Sequence, residues 1–425
     1  MERKELLIKG GTVVADGVSR KADVLVAEGK IVAIGEGLTA NDDAEIFDAE
    51  GCVVTYGLAD VHTHLREPGY SVKETIATGT RAAAHGGVTT VCSMPNLQPA
   101  PDAPETIAVE QQLIDEQAVI EVLPFATISK GRERRELSEI EALRPLSVGY
   151  SDDGNGIQTE ELMREAMQRI SAVDGIIAAH CEDDSLLHAG YIHDGEYARA
   201  NGHKGICSES EWGPIKRDVK LAEEESCRYH ICHISTKESV AIIREAKRVC
   251  DHISCETAPH YLILCDADLK EEGRFKMNPP LRAAEDREAL IEGIKDGTIE
   301  VIATDHAPHT AEEKSRGLKG SAMGIVGIET SFALCYTHLV RKGVITLEHL
   351  IALMSENPRR IFRLGGALRE GERADIAVFD ITKPYTIDTN EFLSMGKATP
   401  FEGEEVYGRC MLTLFGGNVV WRENK

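Results

Sequence analysis

Eight apolar runs of strand length alternate with helix-compatible stretches through the middle of this 425-residue chain. Nearly continuous apolar strands that alternate with helices indicate a parallel sheet covered by helices, and eight repeats favour an α/β fold of the closed (β/α)8 type, a TIM barrel. The runs end near His64, Met94, Ala126, Ser151, His180, His233, Ala258 and Asp305. The active site of such a barrel forms at the carboxyl ends of its strands, where this chain places several reactive side chains.

Both ends of the chain differ from the middle, because they consist of short β segments separated by glycine turns. Such segments fill roughly the first 55 residues and return at 375–380 and 410–421. We therefore expect the two ends to pair into one small β-sandwich domain. The expected division is 1–55 and 366–425 for the two parts of this domain, and 56–365 for the metal-dependent barrel.

The composition argues against several classes of function. A net charge of −24 opposes binding to nucleic acid or to an anionic membrane surface, because both would repel the chain. No segment resembles a signal peptide or a membrane span, so a cytoplasmic protein is expected. The 11 cysteines are scattered without a Cys-X-X-Cys pair, and buried free thiols are expected rather than zinc thiolates or disulfides.

Two histidines one residue apart, His62 and His64, follow the apolar run 52–59, which is expected to be a buried strand. Residues i and i+2 of a strand point to the same face, so both imidazoles can bind one metal ion. A strand can also carry two histidines for packing, and this motif alone does not decide between the two interpretations. His180 and His233, at two other strand ends, favour a second metal site over ordinary polar capping.

A carboxylate ends the eighth run, at Asp305. It could cap the following helix, or it could hold a metal ion and accept a proton from water. Two divalent ions about 3.5–4 Å apart need an anionic bridge, and the candidate lies in Asp152-Asp153-Gly154 at the end of the fourth run. Asp-Asp-Gly is also a common turn, so this segment by itself leaves its role open.

These motifs together resemble the dihydroorotases of the amidohydrolase superfamily, type I bacterial branch, over essentially the whole chain. The matching segments are 60–69, 86–96, 150–154, 180–183, 276–282 and 305–310. The resemblance implies two zinc ions per chain, with ligands His62, His64 and Asp305 for one, His180 and His233 for the other, and Asp153 as the bridge. Many relatives bridge with a carboxylated lysine. Because this chain has Asp153 at the matching position, the resemblance places it in the lysine-free branch, provided that Asp153 rather than Asp152 points inward.

The substrate contacts are expected beside these ligands. Arg66, two residues past His64, would share its face and can bind a carboxylate bidentately, although a surface arginine is the alternative. The resemblance implies that Arg66, Asn96 and His309 contact a carboxylate of the substrate, and that Asn278 and the backbone of Met323 and Gly324 contact a ring amide. His64 is also expected to contact the substrate. His260 is assigned a structural or supporting role. The segment from Thr310 to Gly324 is expected to be a mobile lid rather than a simple solvated loop.

The resemblance implies reversible zinc-dependent hydrolysis of L-dihydroorotate to N-carbamoyl-L-aspartate in de novo pyrimidine biosynthesis, with Asp305 as the catalytic proton carrier. A hydantoinase or allantoinase is one alternative, and it would lack the pairing of Arg66 with Asn96 for an α-carboxylate. An inactive dihydroorotase-like scaffold for aspartate transcarbamoylase is the other, and such chains typically lose metal ligands. The expected partners are a small-molecule substrate and a second copy of the chain in a homodimer, with association to the transcarbamoylase left open.

Overall fold

The computed structural model describes residues 5–423 and confirms the α/β barrel with a sandwich-type β domain. All neighbouring barrel strands run parallel. The barrel closes where Thr63 pairs with His306 and where the His64 amide donates to the His306 carbonyl at 2.9 Å. The strands are Leu58–Thr63, Val88–Ser93, Glu121–Ala126, Gly149–Tyr150, Ile176–Ala179, Arg228–Ile231, Ile253–Thr257 and Val301–Ile302. Each ends close to its predicted position.

The longer helices cover the barrel because they turn an apolar face toward the strands. In Glu160–Ala172 the buried residues Met163, Ala166, Met167 and Ile170 recur at helical spacing. The α-helices are Ile76–His85, Pro104–Gln117, Ile140–Leu143, Glu160–Ala172, Glu196–Asn201, Glu209–Glu224, Lys237–Ala246, Pro259–Ile263, Ala284–Lys295, Ala311–Lys314, Gly317–Gly320, Ser331–Cys335, Leu347–Ile351 and Asn357–Phe362. Single π-helical turns, Tyr336–Val340 and Ala352–Glu356, extend two of them.

The two chain ends pair into one mixed sheet, as predicted. Its central strand, Cys52–Tyr56, runs parallel to Leu6–Ala15 and antiparallel to Ile376–Thr386. The remaining strands of this sheet are Val18–Ala27, Lys30–Gly35, Glu45–Asp48, Glu405–Phe415 and Asn418–Arg422. The pairing joins both ends across the barrel sequence, while the residue boundaries of the domains stay a prediction.

The apolar run 52–59 is two strands rather than the single strand that we predicted. Gly57 separates Cys52–Tyr56, which belongs to the small sheet, from Leu58–Thr63, which opens the barrel. An added Cβ at Gly57 would lie 2.1 Å from the Thr89 hydroxyl oxygen, so only glycine allows the chain to pass between the sheets here. Hydrophobicity alone cannot reveal such a boundary, because both strands are buried.

All 11 cysteines are free and all but Cys207 are buried, which confirms the expectation of buried thiols. Within residues 5–423 no helix is both long and apolar enough to cross a membrane.

A buried acid on the barrel exterior gives a prediction about stability. Glu110, on Pro104–Gln117, is 1% exposed, and neither carboxylate oxygen has a hydrogen-bond partner within residues 5–423. Burial raises its pKa from 4.5 to about 8. The folded state therefore keeps a proton that the unfolded chain loses, and stability falls as the pH rises from about 4.5 to 8. We expect Glu110→Gln to raise the free energy of unfolding by about 2–4 kcal/mol at pH 8 but little at pH 4.5.

Melting temperatures at the two pH values measure this difference. Glu105→Gln, at an exposed position of the same helix, is the matched control. The prediction is wrong if Glu110→Gln changes stability equally at both pH values.

Candidate active site

One side of the barrel mouth gathers two histidines and two carboxylates. The Nε2 atoms of His62 and His64 lie 3.4 and 3.5 Å from the two carboxylate oxygens of Asp153. Asp305 approaches the same nitrogens, with its Oδ1 3.6 Å from His62 and 3.1 Å from His64. His62 lies inside the first barrel strand, and His64 follows just after its end. The four side chains thus converge from the first, fourth and eighth strand ends.

A second group shares Asp153 with the first. Its Oδ1 lies 3.6 Å from His180 Nδ1 and 3.5 Å from His233 Nε2, and these two nitrogens are 3.0 Å apart. His180 follows the fifth barrel strand and His233 the sixth. Asp153 is therefore the only carboxylate common to both histidine groups among the metal-binding candidates of residues 5–423.

The donor atoms fit divalent metal ions. In each group the candidate ligand atoms lie within 4.8 Å of one another, and they are imidazole nitrogens and carboxylate oxygens, which suit zinc. His62 Nε2 and Asp153 Oδ1 are buried, and neither has a hydrogen-bond partner among the described residues 5–423. A cation shared between these two facing atoms would satisfy both of them. The ligand assignment itself stays a prediction.

The protonation states of Asp153 and His64 agree with this use. Burial opposes ionisation of Asp153, but His62, His180 and His233 outweigh it and hold its pKa well below the usual value. Burial lowers the pKa of His64, with Arg66 adding to the effect, so this imidazole is neutral. Neutral imidazole and ionised carboxylate are the forms that bind metal. Burial opposes a proton on His62 and on His180, but Asp153, together with Glu256 or Glu182, outweighs burial and raises the pKa of both imidazoles, so a metal ion has to displace those protons.

The structure turns Asp153 toward the histidines and Asp152 away from them. The Asp152 carboxylate accepts hydrogen bonds from the amides of Ile128 and Ser129, at 2.8 and 3.1 Å, and from the Ser129 hydroxyl. These bonds anchor Asp152 to the loop after the third barrel strand. The sequence left open whether Asp152 or Asp153 points inward. The hydrogen bonds of Asp152 leave Asp153 as the carboxylate that faces the histidines.

Sequence reasoning missed Glu256, which orients His62. This buried carboxylate accepts from His62 Nδ1 at 2.6 Å and also contacts His230 Nε2 at 3.1 Å. The bond places the proton of His62 on Nδ1 and leaves Nε2 free to bind a metal ion. The available signal was an acidic residue in the otherwise buried strand Ile253–Thr257, because a buried carboxylate needs a partner.

A cavity of about 240 Å³ opens beside these groups. The predicted substrate contacts all line it: His64, Arg66, Asn96, Asn278, His309, Met323 and Gly324. Asn96 Oδ1 accepts from His64 Nδ1 at 2.9 Å, so the Asn96 amide nitrogen remains available as a donor. Asn278 donates to Glu182 Oε1 at 2.9 Å, and its own buried Oδ1 has no hydrogen-bond partner in the part of the chain that the structure describes. The cavity thus offers both a free donor and a free acceptor.

Arg66 lines this cavity, but not because of the strand alternation that we predicted. The strand ends at Thr63, and Arg66 takes a positive φ of 63° in the loop beyond it. Its Nε donates to the Pro308 carbonyl at 3.2 Å, and its Nη2 lies 3.5 Å from His309 Nε2. His309 in turn donates to the Met323 carbonyl at 2.7 Å. Loop geometry, rather than strand periodicity, therefore sets the position of the guanidinium.

The predicted lid, Thr310 to Gly324, contains the helices Ala311–Lys314 and Gly317–Gly320. Its motion stays a prediction. His260 is buried in the helix Pro259–Ile263 after the seventh barrel strand, and burial lowers its pKa to about 4.

Comparison with known proteins agrees with this geometry. A family model described as "Dihydro-orotase-like" matches residues 51–239. The chain is 47% identical over 423 residues to a dihydroorotase of Geobacillus sp. strain WCH70, covering 99% of both chains. It is also 47% identical over 416 residues to a dihydroorotase of Bacillus cytotoxicus, covering 97% of this chain and 96% of the relative.

Solved structures of cyclic amidohydrolases share the fold. A dihydropyrimidinase from Brevibacillus agri NCHU1002 superposes with a TM-score of 0.86 at 26% identity, covering 98% of this chain and 95% of that chain. An L-hydantoinase from Arthrobacter aurescens superposes with a TM-score of 0.88 at 24% identity, covering 100% and 97%, and supports the fold alone. The 47% identity to two dihydroorotases over nearly the full length of the chain, together with the family model, shows that this chain belongs to the dihydroorotase family.

Proposed function

We propose that this chain interconverts L-dihydroorotate and N-carbamoyl-L-aspartate, a step of de novo pyrimidine biosynthesis. The observation that carries the proposal is Arg66, which is 8% exposed and forms no ion pair within residues 5–423. A buried cation beside an open cavity calls for an anion, and the ring carboxylate of dihydroorotate supplies one. Simple hydantoins and allantoin carry no such carboxylate, so they rank below dihydroorotate as substrates.

The cavity residues divide into two sets by chemistry. Arg66 and Asn96 offer N–H donors on one side, suited to the carboxylate. His309 lines the same side of the cavity, with its own N–H donated to the Met323 carbonyl. We assign Asn278 and the backbone of Met323 and Gly324, which line the same cavity, to the ring amide. The unpartnered Oδ1 of Asn278 is an acceptor for a ring N–H.

Hydrolysis adds a water oxygen to the ring carbonyl carbon, breaks the amide C–N bond and returns a proton to the leaving nitrogen. Asp305 accepts the proton from that water and delivers it to the nitrogen. His62, His64, Asp153, His180, His233 and Asp305 would hold two zinc ions. Such ions polarise a carbonyl and lower the pKa of water. Ring closure follows the same steps in reverse, starting with Asp305 protonated.

Metal content and bicarbonate dependence test the proposed bridge. We expect up to two zinc ions per chain and a turnover that does not change when bicarbonate is removed, because Asp153 supplies the anion that a carboxylated lysine supplies in other relatives. Among residues 5–423, no lysine lines the cavity. Metal analysis and assays in bicarbonate-free buffer measure both quantities. Loss of activity without bicarbonate, with recovery on its return, would contradict the prediction.

Turnover of dihydroorotate, hydantoin and allantoin, measured side by side on the same metal-loaded preparation, tests the function. Preference for dihydroorotate supports it, preference for a neutral substrate favours the hydantoinase alternative, and no turnover favours the scaffold alternative. A homodimer, a cytoplasmic location and association with aspartate transcarbamoylase stay predictions. Light scattering of the chain alone and mixed with the transcarbamoylase tests the first and third.

A further inference from the structure

Lys314 is a buried cation without an anionic partner. It is 8% exposed and forms no ion pair within residues 5–423. Its ammonium instead donates to three backbone carbonyls, those of Lys276 at 3.0 Å, Ala322 at 2.8 Å and Gly324 at 2.6 Å. An ammonium has three N–H donors, so this set uses all of them. Burial lowers the pKa of Lys314 to about 7, the Lys276 ammonium adds to this effect, and Glu313 opposes it.

The three carbonyls belong to two segments that border the cavity. Ala322 and Gly324 flank Met323, and Lys276 lies two residues before Asn278. The Gly324 amide also donates to the Lys276 carbonyl at 3.1 Å. Met323, Gly324 and Asn278 all line the cavity, whereas Lys314 does not. Lys314 therefore lies outside the cavity, and its hydrogen bonds connect the two backbone segments, 276–278 and 322–324, that border it.

The backbone at Gly324 is closely surrounded and has little room to shift. Gly324 has a φ of +129°, and an added Cβ would lie 2.8 Å from the Ala307 carbonyl oxygen and 3.1 Å from His309 Nε2. The neighbouring Met323 carbonyl accepts from His309 at 2.7 Å. A shift of residues 322–324 would therefore move His309 as well as the peptide beside the ring amide.

We propose that Lys314 is a positioning residue for substrate recognition, because its ammonium holds residues 322–324 against 276–278 in the arrangement that binds the ring. Lys314 acts without touching the substrate. We call the three hydrogen bonds from Lys314 to Lys276, Ala322 and Gly324 the clamp. The proposal rests on the proposed function for the identity of the substrate, whereas the clamp itself does not depend on that function. The same hydrogen bonds hold both Lys314 and residues 322–324, so movement of the predicted lid is confined to the residues between them.

Lys314→Met tests the clamp, because methionine is of similar length but has no N–H donor. Lys319→Met is the matched control, because Lys319 is exposed in the same segment and loses the same charge, while its carbonyl still accepts from Lys276 Nζ. In hydrogen exchange, we expect the amides of 322–326 to exchange at least about tenfold faster in Lys314→Met and unchanged in the control. This measurement needs no substrate.

The kinetic measurement separates positioning from general stabilisation. We expect Lys314→Met to raise KM for dihydroorotate about tenfold, with kcat within about threefold and unchanged metal content, because recognition is weakened while the metal cluster is intact. A purely structural role would lower kcat through loss of active protein and leave KM unchanged. Lys314→Gln, which keeps an amide donor, is expected between wild type and Lys314→Met, and it replaces the methionine variant if that variant does not fold.

The outcomes are distinguishable. If the wild-type protein does not act on dihydroorotate, the proposed function is wrong. The hydrogen-exchange experiment would still test the clamp in that case. Unchanged exchange at 322–326, an unchanged KM, or the same changes in Lys319→Met would overturn the proposal.

Discussion

Asp305→Ala is expected to lower the rates of hydrolysis and of ring closure by about 100- to 10,000-fold, the range that a positioned proton carrier contributes. The carboxylate lies 3.1 Å from His64 and 3.6 Å from His62 at the eighth strand end. Burial opposes its ionisation, but these two histidines outweigh burial and lower its pKa below the usual value. Steady-state rates in both directions, with zinc content measured on the same sample, test the prediction.

The two directions should also respond to pH in opposite ways in the wild type. Hydrolysis needs Asp305 ionised, so its rate should rise with pH and reach a plateau. Ring closure starts with Asp305 protonated, and because the pKa of this group is lowered, closure should be favoured in acid.

An Asp305→Ala variant that keeps its zinc and near-normal turnover would show that the base lies elsewhere. His309, whose pKa burial lowers to about 4, is then the next residue to test with His309→Ala.

Arg66→Met is expected to lower kcat/KM for dihydroorotate by about 10- to 150-fold, because it removes a charge-assisted contact worth about 1.5–3 kcal/mol. Zinc content should not change, since Arg66 contacts Pro308 and His309 rather than the paired metal groups. Neutral cyclic amides such as hydantoin, if turned over, should be nearly indifferent. The ratio of kcat/KM for the charged and neutral substrates is therefore the informative measurement.

Arg359→Met is the matched control for this experiment. Arg359 is similarly buried, at 5% exposed, but it donates to the Gly57 carbonyl and to the hydroxyls of Thr89 and Thr90 at the opposite end of the barrel. Its loss can lower stability but should leave the substrate ratio unchanged. Equal losses on charged and neutral substrates in Arg66→Met would mean that Arg66 supports the fold or the metal ligands instead.

The barrel and the positions of its reactive residues could be predicted from the sequence because both depend on local periodicity. Buried parallel strands are continuous apolar runs, and a polar residue at the end of such a run lies at the barrel mouth. This reasoning located His62, His180, His233 and Asp305 at strand ends that the structure brings together. The pairing of the two chain ends followed from composition in the same way.

Contacts between distant segments could not be predicted, because no local pattern records them. The choice between Asp152 and Asp153 depends on amides of the preceding loop, more than 20 residues away. The orientation of His62 depends on Glu256, which is 194 residues away in the chain. The strand boundary at Gly57 depends on the space left by Thr89.

The sequence by itself thus determined the strand–helix order, the side of the barrel that carries the chemistry and the residue types gathered there. Only the tertiary structure decided which carboxylate faces the histidines, how Arg66 enters the cavity and what holds the backbone at Met323 and Gly324. The physical reason is that strand periodicity is a property of neighbouring residues. Hydrogen bonds to buried carboxylates and ammonium groups, by contrast, form only once distant segments have packed together.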